Sequence, residues 1–494
     1  HVQQHRQGQD IFNITGGDPS VVHNRMLSVK RRFDLPSDAL ALHYYEWDTL
    51  GYEYGSNYTK CESEITCGFD THYPEYFPTR KGFVERLAEM QAQGIRVAPY
   101  INGRIFDQAT KSWNVDSKSA SAKQVPSPIL ITDPSRIDSE TYNESYGSKA
   151  VFAVMCPHTT YWQEKIISIV QNLTHNFNTD GVYIDQIAAA GPRPCFDPSH
   201  DHPLGGGDHW VKGYSNMLDR IQQIAPKKMI LTESNAEPFM SGVDIFLTLV
   251  GYLSGDLPGT KDSDQVMVPA FQSIYGGYIT TMGAEFYQTD FENPDVFAAK
   301  TAAQFVFGSM LGWYSLGGRE NANPKMGIYD LLMSPKYDDE IFYLKRLALA
   351  RRAASHFMVY GRSGRDIELV VNGTTSLHNK FQTFSRDISN DEYVKISRAF
   401  PAVMSSTWIS PSEDSLCVVL TTVKRSTWAL VSSSINMTTF YMKHLNTDSE
   451  YGIFELPLDG GDPVQLEGRF SPEHVTFELP IGVRDARVLW IRAL

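Results

Sequence analysis

Two acidic residues stand directly after short apolar segments that are typical of buried β-strands. Asp185 follows residues 182–184, and Glu233 follows residues 229–232. A carboxylate at a buried strand end is costly unless another group pairs with it or a reaction uses it. In a parallel α/β barrel, active sites are built at the carboxyl ends of the strands. The two acids therefore predict chemistry on a bond held between them.

Glycoside hydrolysis needs this pair: one protonated acid for the leaving oxygen, and one ionised carboxylate as nucleophile or base. Carboxyl groups about 5–5.5 Å apart retain the anomeric configuration, and groups about 6.5–9.5 Å apart invert it. The sequence does not give this distance. The alternative is that each acid caps or simply ends its strand in solvent. Glu237 lies in the same loop as Glu233 and competes for the second role.

The composition narrows the class of partner. The chain has 494 residues, 42% of them hydrophobic and 20% charged, with a formal net charge of -13. This charge argues against nucleic acid and anionic membranes as partners. No apolar run reaches the roughly 18 residues that a membrane span needs, and the first residues show no signal-peptide core. We therefore expect no nucleic-acid partner and no membrane span; the expectation of a carbohydrate substrate comes from the paired acids.

Eight short apolar segments alternate with stretches of helical periodicity, which predicts an α/β fold, a (β/α)8 TIM barrel. The predicted strands are residues 40–48, 95–104, 150–155, 181–184, 228–233, 244–249, 271–280 and 311–314. After about residue 357 the pattern changes to short strands separated by turns, which indicates a C-terminal antiparallel β-sandwich. The expected domains are a lead-in segment (1–38), the catalytic barrel (39–356) and the β-sandwich (357–494).

Polar and aromatic residues end the first two predicted strands. Tyr100, Asn102 and Arg104 have side chains that suit sugar hydroxyls or the orientation of a carboxylate. Trp47 and Asp48, at the end of the first predicted strand, are also candidates for binding a sugar, and the aromatic ring of Trp47 could stack on a sugar face. The alternative for each is structural: the aromatic rings pack in the core, and Arg104 pairs with a nearby acid.

The loop after the fourth predicted strand contains three histidines within ten positions, His200, His202 and His209, around a glycine run at 205–207. Histidines at this density could bind a metal, and the glycines would let the backbone approach a ligand. The spacing fits neither a Walker nor a Rossmann motif. We favour a loop that contacts substrate; a hydrogen-bonded structural loop and a metal site remain open. No cofactor is expected and no metal ligand is assigned. The candidate substrate-binding residues are Trp47, Asp48, Tyr100, Asn102, Arg104, Tyr183, His200, His202 and Glu237.

The five cysteines allow two disulfide bonds. Cys61 and Cys67 bracket a short loop, whereas Cys156 and Cys195 both follow predicted strands and could join two loops; Cys417 would be left over. Spacing alone does not establish this connectivity. The sequence shows no CxxC pair or tight His/Cys cluster that points to a structural zinc.

Six sequons fit the N-glycosylation pattern. Their acceptors are Asn13, Asn57, Asn143, Asn172, Asn372 and Asn436. Because six occur along one chain, we expect a glycosylated protein that is secreted or lumenal in the secretory pathway.

Several separated segments together resemble a poorly characterised family of glycoside-hydrolase-like TIM-barrel proteins, known as a domain of unknown function. These segments are residues 73–78, 99–104, 156–162, 180–186, 195–207 and 232–237. The resemblance covers about residues 40–320. It does not specify a sugar.

An Asp that ends the fourth strand and a Glu that ends the fifth are also distantly similar to the α-amylase clan and the endo-α-N-acetylgalactosaminidases. This resemblance implies that Asp185 is the nucleophile and Glu233 the acid/base. One position departs from the α-amylase pattern: Tyr183 stands where an Arg precedes the Asp by two residues. The anomeric preference therefore stays open.

The sequence thus predicts a secreted glycoside hydrolase that cleaves O-glycosidic bonds with retention through Asp185 and Glu233. Because a fold does not imply a function, the alternative is a catalytically inactive glycan-binding or extracellular structural protein on a glycosidase scaffold. A third hypothesis, a metal-dependent hydrolase, depends on His200, His202 and His209.

Overall fold

An eight-stranded parallel sheet lies at the centre of the computed structural model. The structure describes residues 9–48, 71–113, 117–124, 141–145, 150–248, 268–283, 286, 288–292, 294–317, 327–372, 377–383, 394–423, 429–446, 448–471 and 474–494. The strands of the central sheet are β1 (Ile11–Gly16), β2 (Leu40–Tyr45), β3 (Arg96–Asn102), β4 (Gly181–Asp185), β5 (Met229–Glu233), β6 (Ile245–Leu247), β7 (Thr280–Met282) and β8 (Leu311–Ser315).

The sheet curls into a near-closed barrel. Neighbouring strands follow the order β7-β6-β5-β4-β3-β2-β1-β8. A parallel bridge between Met282 and Met310 joins the two ends, and the Met310 amide donates to the Thr281 carbonyl at 2.8 Å. All six residues of β2 are buried. Strands covered on both faces read as continuous apolar runs, and this is why most of them are visible in the sequence.

Helices surround the sheet. They are α1 (Pro19–Phe33), α2 (Phe83–Ala92), α3 (Thr160–Gln171), α4 (His209–Ile224), α5 (Ala270–Tyr275), α6 (Gln288–Glu292), α7 (Pro294–Val306), α8 (Tyr329–Met333), α9 (Asp338–Ala353) and α10 (Ser355–Met358). The side chain of Asp18 caps α1 by accepting from the Ser20 amide at 2.9 Å, as N-cap aspartates do. Within the described parts of the chain, no helix combines the length and apolar character needed to cross a bilayer.

Two of the eight predicted strands need correction, and one strand of the sheet was not predicted. The first strand of the sheet is Ile11–Gly16, which lies in the predicted lead-in segment. Residues 150–155 do contain a strand, Phe152–Val154, but it pairs antiparallel with Ile105–Asp107 and Asn143–Glu144 in a separate small sheet. Residues 271–280 are mostly α5 and the turn that precedes β7.

Antiparallel sheets follow the barrel. A six-stranded sheet has the order Arg362–Ser363, Val403–Ile409, Leu416–Thr422, Ala486–Ala493, Tyr451–Glu455 and Val464–Gln465. A four-stranded sheet has the order Val370–Asn372, Ala429–Asn436, His474–Ile481 and Gly468–Phe470, and Leu377–Thr383 pairs with Val394–Phe400 in a hairpin. One hydrophobic cluster takes residues from both larger sheets, among them Val418, Leu420, Val431 and Phe477.

Candidate active site

Asp185 is the last residue of β4 and is half-buried. The Tyr100 hydroxyl donates a hydrogen bond to Asp185 Oδ2 at 2.9 Å, and Asn102 Nδ2 lies 3.5 Å from the same oxygen. The register pairs Tyr100 with Tyr183 and Asn102 with Asp185, so these side chains lie on one face of the sheet. Two residues of β3 therefore orient the carboxylate of Asp185, as the sequence predicted for an orienter.

Glu233 ends the neighbouring strand β5 and is also half-buried. The register of β4 and β5 pairs Gly181 with Met229 and Tyr183 with Leu231. Asp185 and Glu233 each lie two residues beyond the last of these pairs, at the ends of the two neighbouring strands. Residues two positions apart in a strand point to the same face, so both carboxylates leave the sheet on one side.

The strands that surround this pair end in left-handed turns. Glu46, Gln186 and Ser234 directly follow β2, β4 and β5, with φ angles of 50°, 64° and 60°. Residues other than glycine adopt this conformation rarely and at a cost, and such residues concentrate at functional sites. The turns redirect the chain immediately after Asp185 and Glu233.

An aromatic cluster fills the barrel beneath the two acids. The His43 ring lies 3.9 Å from the Tyr183 ring and 4.3 Å from that of Tyr45, and Tyr45 stacks on Tyr100 at 4.5 Å. Trp313 of β8 joins the cluster beside His43. Tyr183 and Tyr100 are 1% and 3% exposed. Both rings therefore support the site from inside the barrel. For Tyr183 this is a structural role, whereas the sequence analysis predicted a contact with substrate.

Trp47 and Asp48 lie inside the protein. The Trp47 indole donates to the Tyr100 carbonyl at 2.8 Å and packs on Tyr76. Asp48 Oδ1 lies 2.9 Å from Nε2 of His72, and both side chains are buried. These contacts correct the prediction that Trp47 and Asp48 meet the substrate, because both are committed to holding β3 and the chain that covers it.

Arg104 is buried and pairs with an acid. This is the structural alternative to substrate binding that the sequence analysis left open. Its Nη2 lies 2.8 Å from Glu144 Oε1, and its Nη1 contacts Oε2 of the same carboxylate. Arg193, in the loop after β4, also donates to Glu144 Oε1 at 2.7 Å. The three side chains line a cleft of about 400 Å³ with Ala190 and Gly191. No sequence signal links Glu144 and Arg193 to Arg104, since only the fold brings them together.

Glu237 is exposed and begins the short 3₁₀ turn Glu237–Phe239. It accepts a hydrogen bond from Tyr275, which raises the pKa of that phenol above its ordinary value. Tyr275 ends α5, so Glu237 is held by the helix that precedes β7. This placement favours Glu233 over Glu237 as the partner of Asp185.

The loop after β4 brings cysteines and histidines together. Cys195 Sγ lies 3.4 Å from His200 Nδ1, and Cys156 Sγ lies 3.4 Å from His202 Nε2. The ligand atoms of these four residues all lie within 4.8 Å of one another. His209 stacks on His202 at 4.2 Å but is not one of the four. The cluster joins residues that the sequence analysis assigned separately, two to a disulfide and two to a substrate-binding loop.

The cysteines that the structure describes are thiols. Cys156 and Cys195 are buried and free, so the predicted bridge between them is not formed. A hydrogen bond from the Cys156 thiol lowers the pKa of Cys195 and raises that of Cys156. Cys417 is buried in the strand Leu416–Thr422, whereas Cys61 and Cys67 lie outside the described residues.

The predicted glycosylation sites differ in accessibility. Asn13 is fully buried in β1 and its Nδ2 donates to the Ala41 carbonyl at 3.3 Å. The folded barrel leaves no access to it, so this candidate is wrong. Asn143 and Asn372 are exposed and Asn172 and Asn436 are half-buried, while Asn57 lies outside the described residues. Glycosylation at these five positions stays a prediction.

The hydrogen bond to Asp185 gives a first testable prediction. Tyr100→Phe removes the donor and keeps the ring, so we expect kcat to fall about 10–100-fold with little change in KM, since a hydrogen bond to a charged group contributes about 1.5–3 kcal/mol. The matched control is Tyr44→Phe, which removes a hydroxyl bonded to the Gly17 carbonyl at 3.2 Å. Equal losses in both variants would show that Tyr100 does not act through Asp185.

The comparisons with known proteins confirm the resemblance. Residues 64–287 match the family model described as "Domain of unknown function (DUF6259)". The match contains Asp185 and Glu233 and all six segments on which the resemblance was based. The DUF6259 region therefore includes both candidate catalytic residues.

Two curated relatives both carry the name "Putative glycoside hydrolase". One, from Monosiga brevicollis, is 32% identical over 491 residues, covering 98% of this chain and 38% of the relative. The other, from Bacteroides thetaiotaomicron, is 29% identical over 345 residues, covering 69% of this chain and 44% of the relative. The chain thus spans less than half the length of either relative.

Solved structures with a similar fold include glycosidases. An alpha-N-acetylgalactosaminidase from Bifidobacterium bifidum superposes with a TM-score of 0.54 at 11% identity, covering 84% of this chain and 56% of the other. An alpha-amylase from Geobacillus thermoleovorans, complexed with acarbose, superposes with a TM-score of 0.50 at 12% identity, covering 98% and 99% of the two chains. At these identities the likeness establishes the fold alone.

Proposed function

We propose that this chain is a retaining glycoside hydrolase in which Asp185 is the nucleophile and Glu233 the acid/base. One observation carries the proposal: Asp185 and Glu233 end neighbouring parallel strands, each two residues after the paired Tyr183 and Leu231 and therefore on the same face of the sheet. Neighbouring strands lie about 4.8 Å apart, so carboxyl groups in register start from a spacing close to the about 5–5.5 Å of retaining enzymes.

The mechanism is a double displacement. Asp185 attacks the anomeric carbon while Glu233 gives its proton to the departing glycosidic oxygen, and a glycosyl ester forms on Asp185. The ionised Glu233 then removes a proton from water, which attacks the same carbon and releases the sugar with its original configuration. Tyr100 and Asn102 hold Asp185 at Oδ2 and fix the direction of attack.

The comparisons support a carbohydrate substrate. Both relatives are named as glycoside hydrolases, and the two fold neighbours reported above are named for action on α-linked sugars. α-Glycosides are therefore the first class to test. The exposed sequon residues Asn143 and Asn372 support secretion, and the cluster shared by the two C-terminal sheets supports a β-sandwich.

The experiment begins with a panel of α- and β-linked aryl glycosides and natural oligosaccharides. Proton NMR should show that the first sugar product has the same anomeric configuration as the substrate. An inverted product would contradict the nucleophilic role of Asp185. Absence of turnover on the whole panel, together with binding on a glycan array, would favour the inactive glycan-binding alternative.

Glu233→Gln tests the acid/base on the same panel. We expect a loss of about 10²–10⁴-fold on natural glycosides, because general acid catalysis contributes that much. Aryl glycosides with good leaving groups should lose far less in the first step, and azide should restore turnover by giving a glycosyl azide of retained configuration. Glu237→Gln is the matched control from the same loop and should behave as the unmodified protein; the reverse pattern would transfer the role to Glu237.

A further inference from the structure

Four metal-ligating side chains converge at the loop that follows β4. We propose that Cys156, Cys195, His200 and His202 bind a structural Zn²⁺ ion. Both S···N contacts are 3.4 Å. In a tetrahedral site with Zn–S of about 2.3 Å and Zn–N of about 2.0–2.1 Å, neighbouring S and N ligands are about 3.6 Å apart. The two S···N contacts thus have nearly the spacing of a zinc tetrahedron, and all four ligand atoms lie within 4.8 Å of one another.

The outer nitrogen of each histidine is held by a backbone carbonyl. His200 Nε2 donates to the Ser119 carbonyl at 2.7 Å, and His202 Nδ1 donates to the Pro203 carbonyl at 3.0 Å. Each ring therefore carries its proton on the outside and presents its lone pair to the sulfur atoms. Metal-binding histidines are oriented by such bonds in most zinc sites.

The sulfur ligands also suit a thiolate–zinc centre. Both cysteines are fully buried, and the Lys123 amide lies 3.5 Å from Cys195 Sγ as a donor. Two thiolates and two imidazoles are the soft and borderline ligands that zinc prefers. Four protein ligands leave no open position for water or substrate, which is typical of structural rather than catalytic zinc. Binding the ion releases the thiol protons to solvent without a redox step.

The proposed site would tie together two segments of chain, one of which starts directly after Asp185. Cys195, His200 and His202 lie in the loop that starts after Asp185, and Cys156 lies between the small antiparallel sheet and α3. The same loop carries Arg193, which contacts Glu144. The ion would therefore fix the loop that forms one side of the cleft at Arg104. It replaces the Cys156–Cys195 disulfide, because the same sulfur atoms cannot form both.

The test is the metal content of the full chain, purified without chelator from zinc-replete medium. Inductively coupled plasma mass spectrometry should find about one zinc ion per chain, because a four-ligand site holds one ion. Cys195→Ser and His200→Asn should each lose most of it. Cys417→Ser is the matched control, since it removes a buried thiol from a different sheet, and should keep its zinc. Equal zinc in all four proteins, or none in the unmodified chain, would overturn the proposal.

A second measurement applies if the variants do not fold. The unmodified protein is treated with a chelator and refilled with Co²⁺, and tetrahedral thiolate ligation should give intense visible d–d bands and a thiolate charge-transfer band. Alkylation of the denatured, unreduced chain followed by peptide mapping should find both Cys156 and Cys195 as thiols. A disulfide-linked peptide containing both cysteines would refute the zinc site. Neither readout depends on hydrolysis, so the zinc site and the proposed function stand or fall separately.

Discussion

Asp185→Asn is expected to lower kcat by about 10⁴–10⁶-fold, the range found when a catalytic nucleophile is removed. The amide has the shape of the carboxylate but cannot form a glycosyl ester. Its oxygen can still accept the hydrogen bond that Tyr100 donates at 2.9 Å to the native carboxylate. The variant should therefore fold normally, with an unchanged circular dichroism spectrum and thermal transition, while steady-state kinetics show the loss.

The same substitution at the other end of β4 is the control. Asp180 immediately precedes the strand and accepts from the Val97 amide at 3.0 Å and from Arg96 at 2.9 Å. The amino ends of barrel strands serve stability, not chemistry. Asp180→Asn should therefore keep kcat close to that of the unmodified protein even where its thermal transition is lower. Equal losses of kcat, or full turnover by Asp185→Asn, would remove Asp185 from the mechanism.

Arg351→Ala should have the largest effect on stability, about 3–5 kcal/mol of unfolding free energy, because it breaks a buried ion pair from one side. Arg351 is 1% exposed near the end of α9. Its guanidinium donates to the Ser309 carbonyl at 3.0 Å, to the Gln9 carbonyl at 3.2 Å and to Asp10 at 3.4 Å. It thus connects α9 to the chain entering β1 and β8.

The burial of Asp10 explains the size of this effect. Burial raises its pKa to about 6 even though Arg351 and Arg352 both lower it. Without Arg351, the charged carboxylate loses a partner in a site with little water. Urea unfolding, followed by fluorescence, would measure the loss. The matched control is Arg220→Ala, since Arg220 forms an exposed pair with Glu164 and such pairs contribute about 0–1 kcal/mol. Similar losses in both variants would show that burial does not decide the contribution.

The fold was predictable where strands are continuous apolar runs, and not elsewhere. β1 was missed because Asn13 and Thr15 interrupt its apolar residues, although the fold satisfies both: Asn13 bonds the Ala41 carbonyl, and Thr15 bonds the Gly317 carbonyl at 2.6 Å. Residues 150–155 were correctly predicted to form a strand. An apolar run does not say which sheet a strand joins, and this strand joined a different one.

The candidate site was likewise predictable only in part. Asp185 and Glu233 were visible because each acid ends an apolar run. The partner of Arg104 was not, since it is Glu144, 40 positions away. The Cys/His cluster was visible only in part: the sequence left a metal site open at His200 and His202, but Cys156 is 46 positions from His202 and meets it only in the fold.

Attack by Asp185 on the sugar can be observed directly. A fluorinated glycoside with an activated leaving group, chosen to match the sugar found in the panel, slows hydrolysis of the ester and traps the glycosyl-enzyme. Mass spectrometry of the digested protein should place the added sugar on Asp185, and Asp185→Asn should stay unlabelled. A sugar attached to Glu233 or Glu237 instead, or a product of inverted configuration, would show that Asp185 is not the nucleophile.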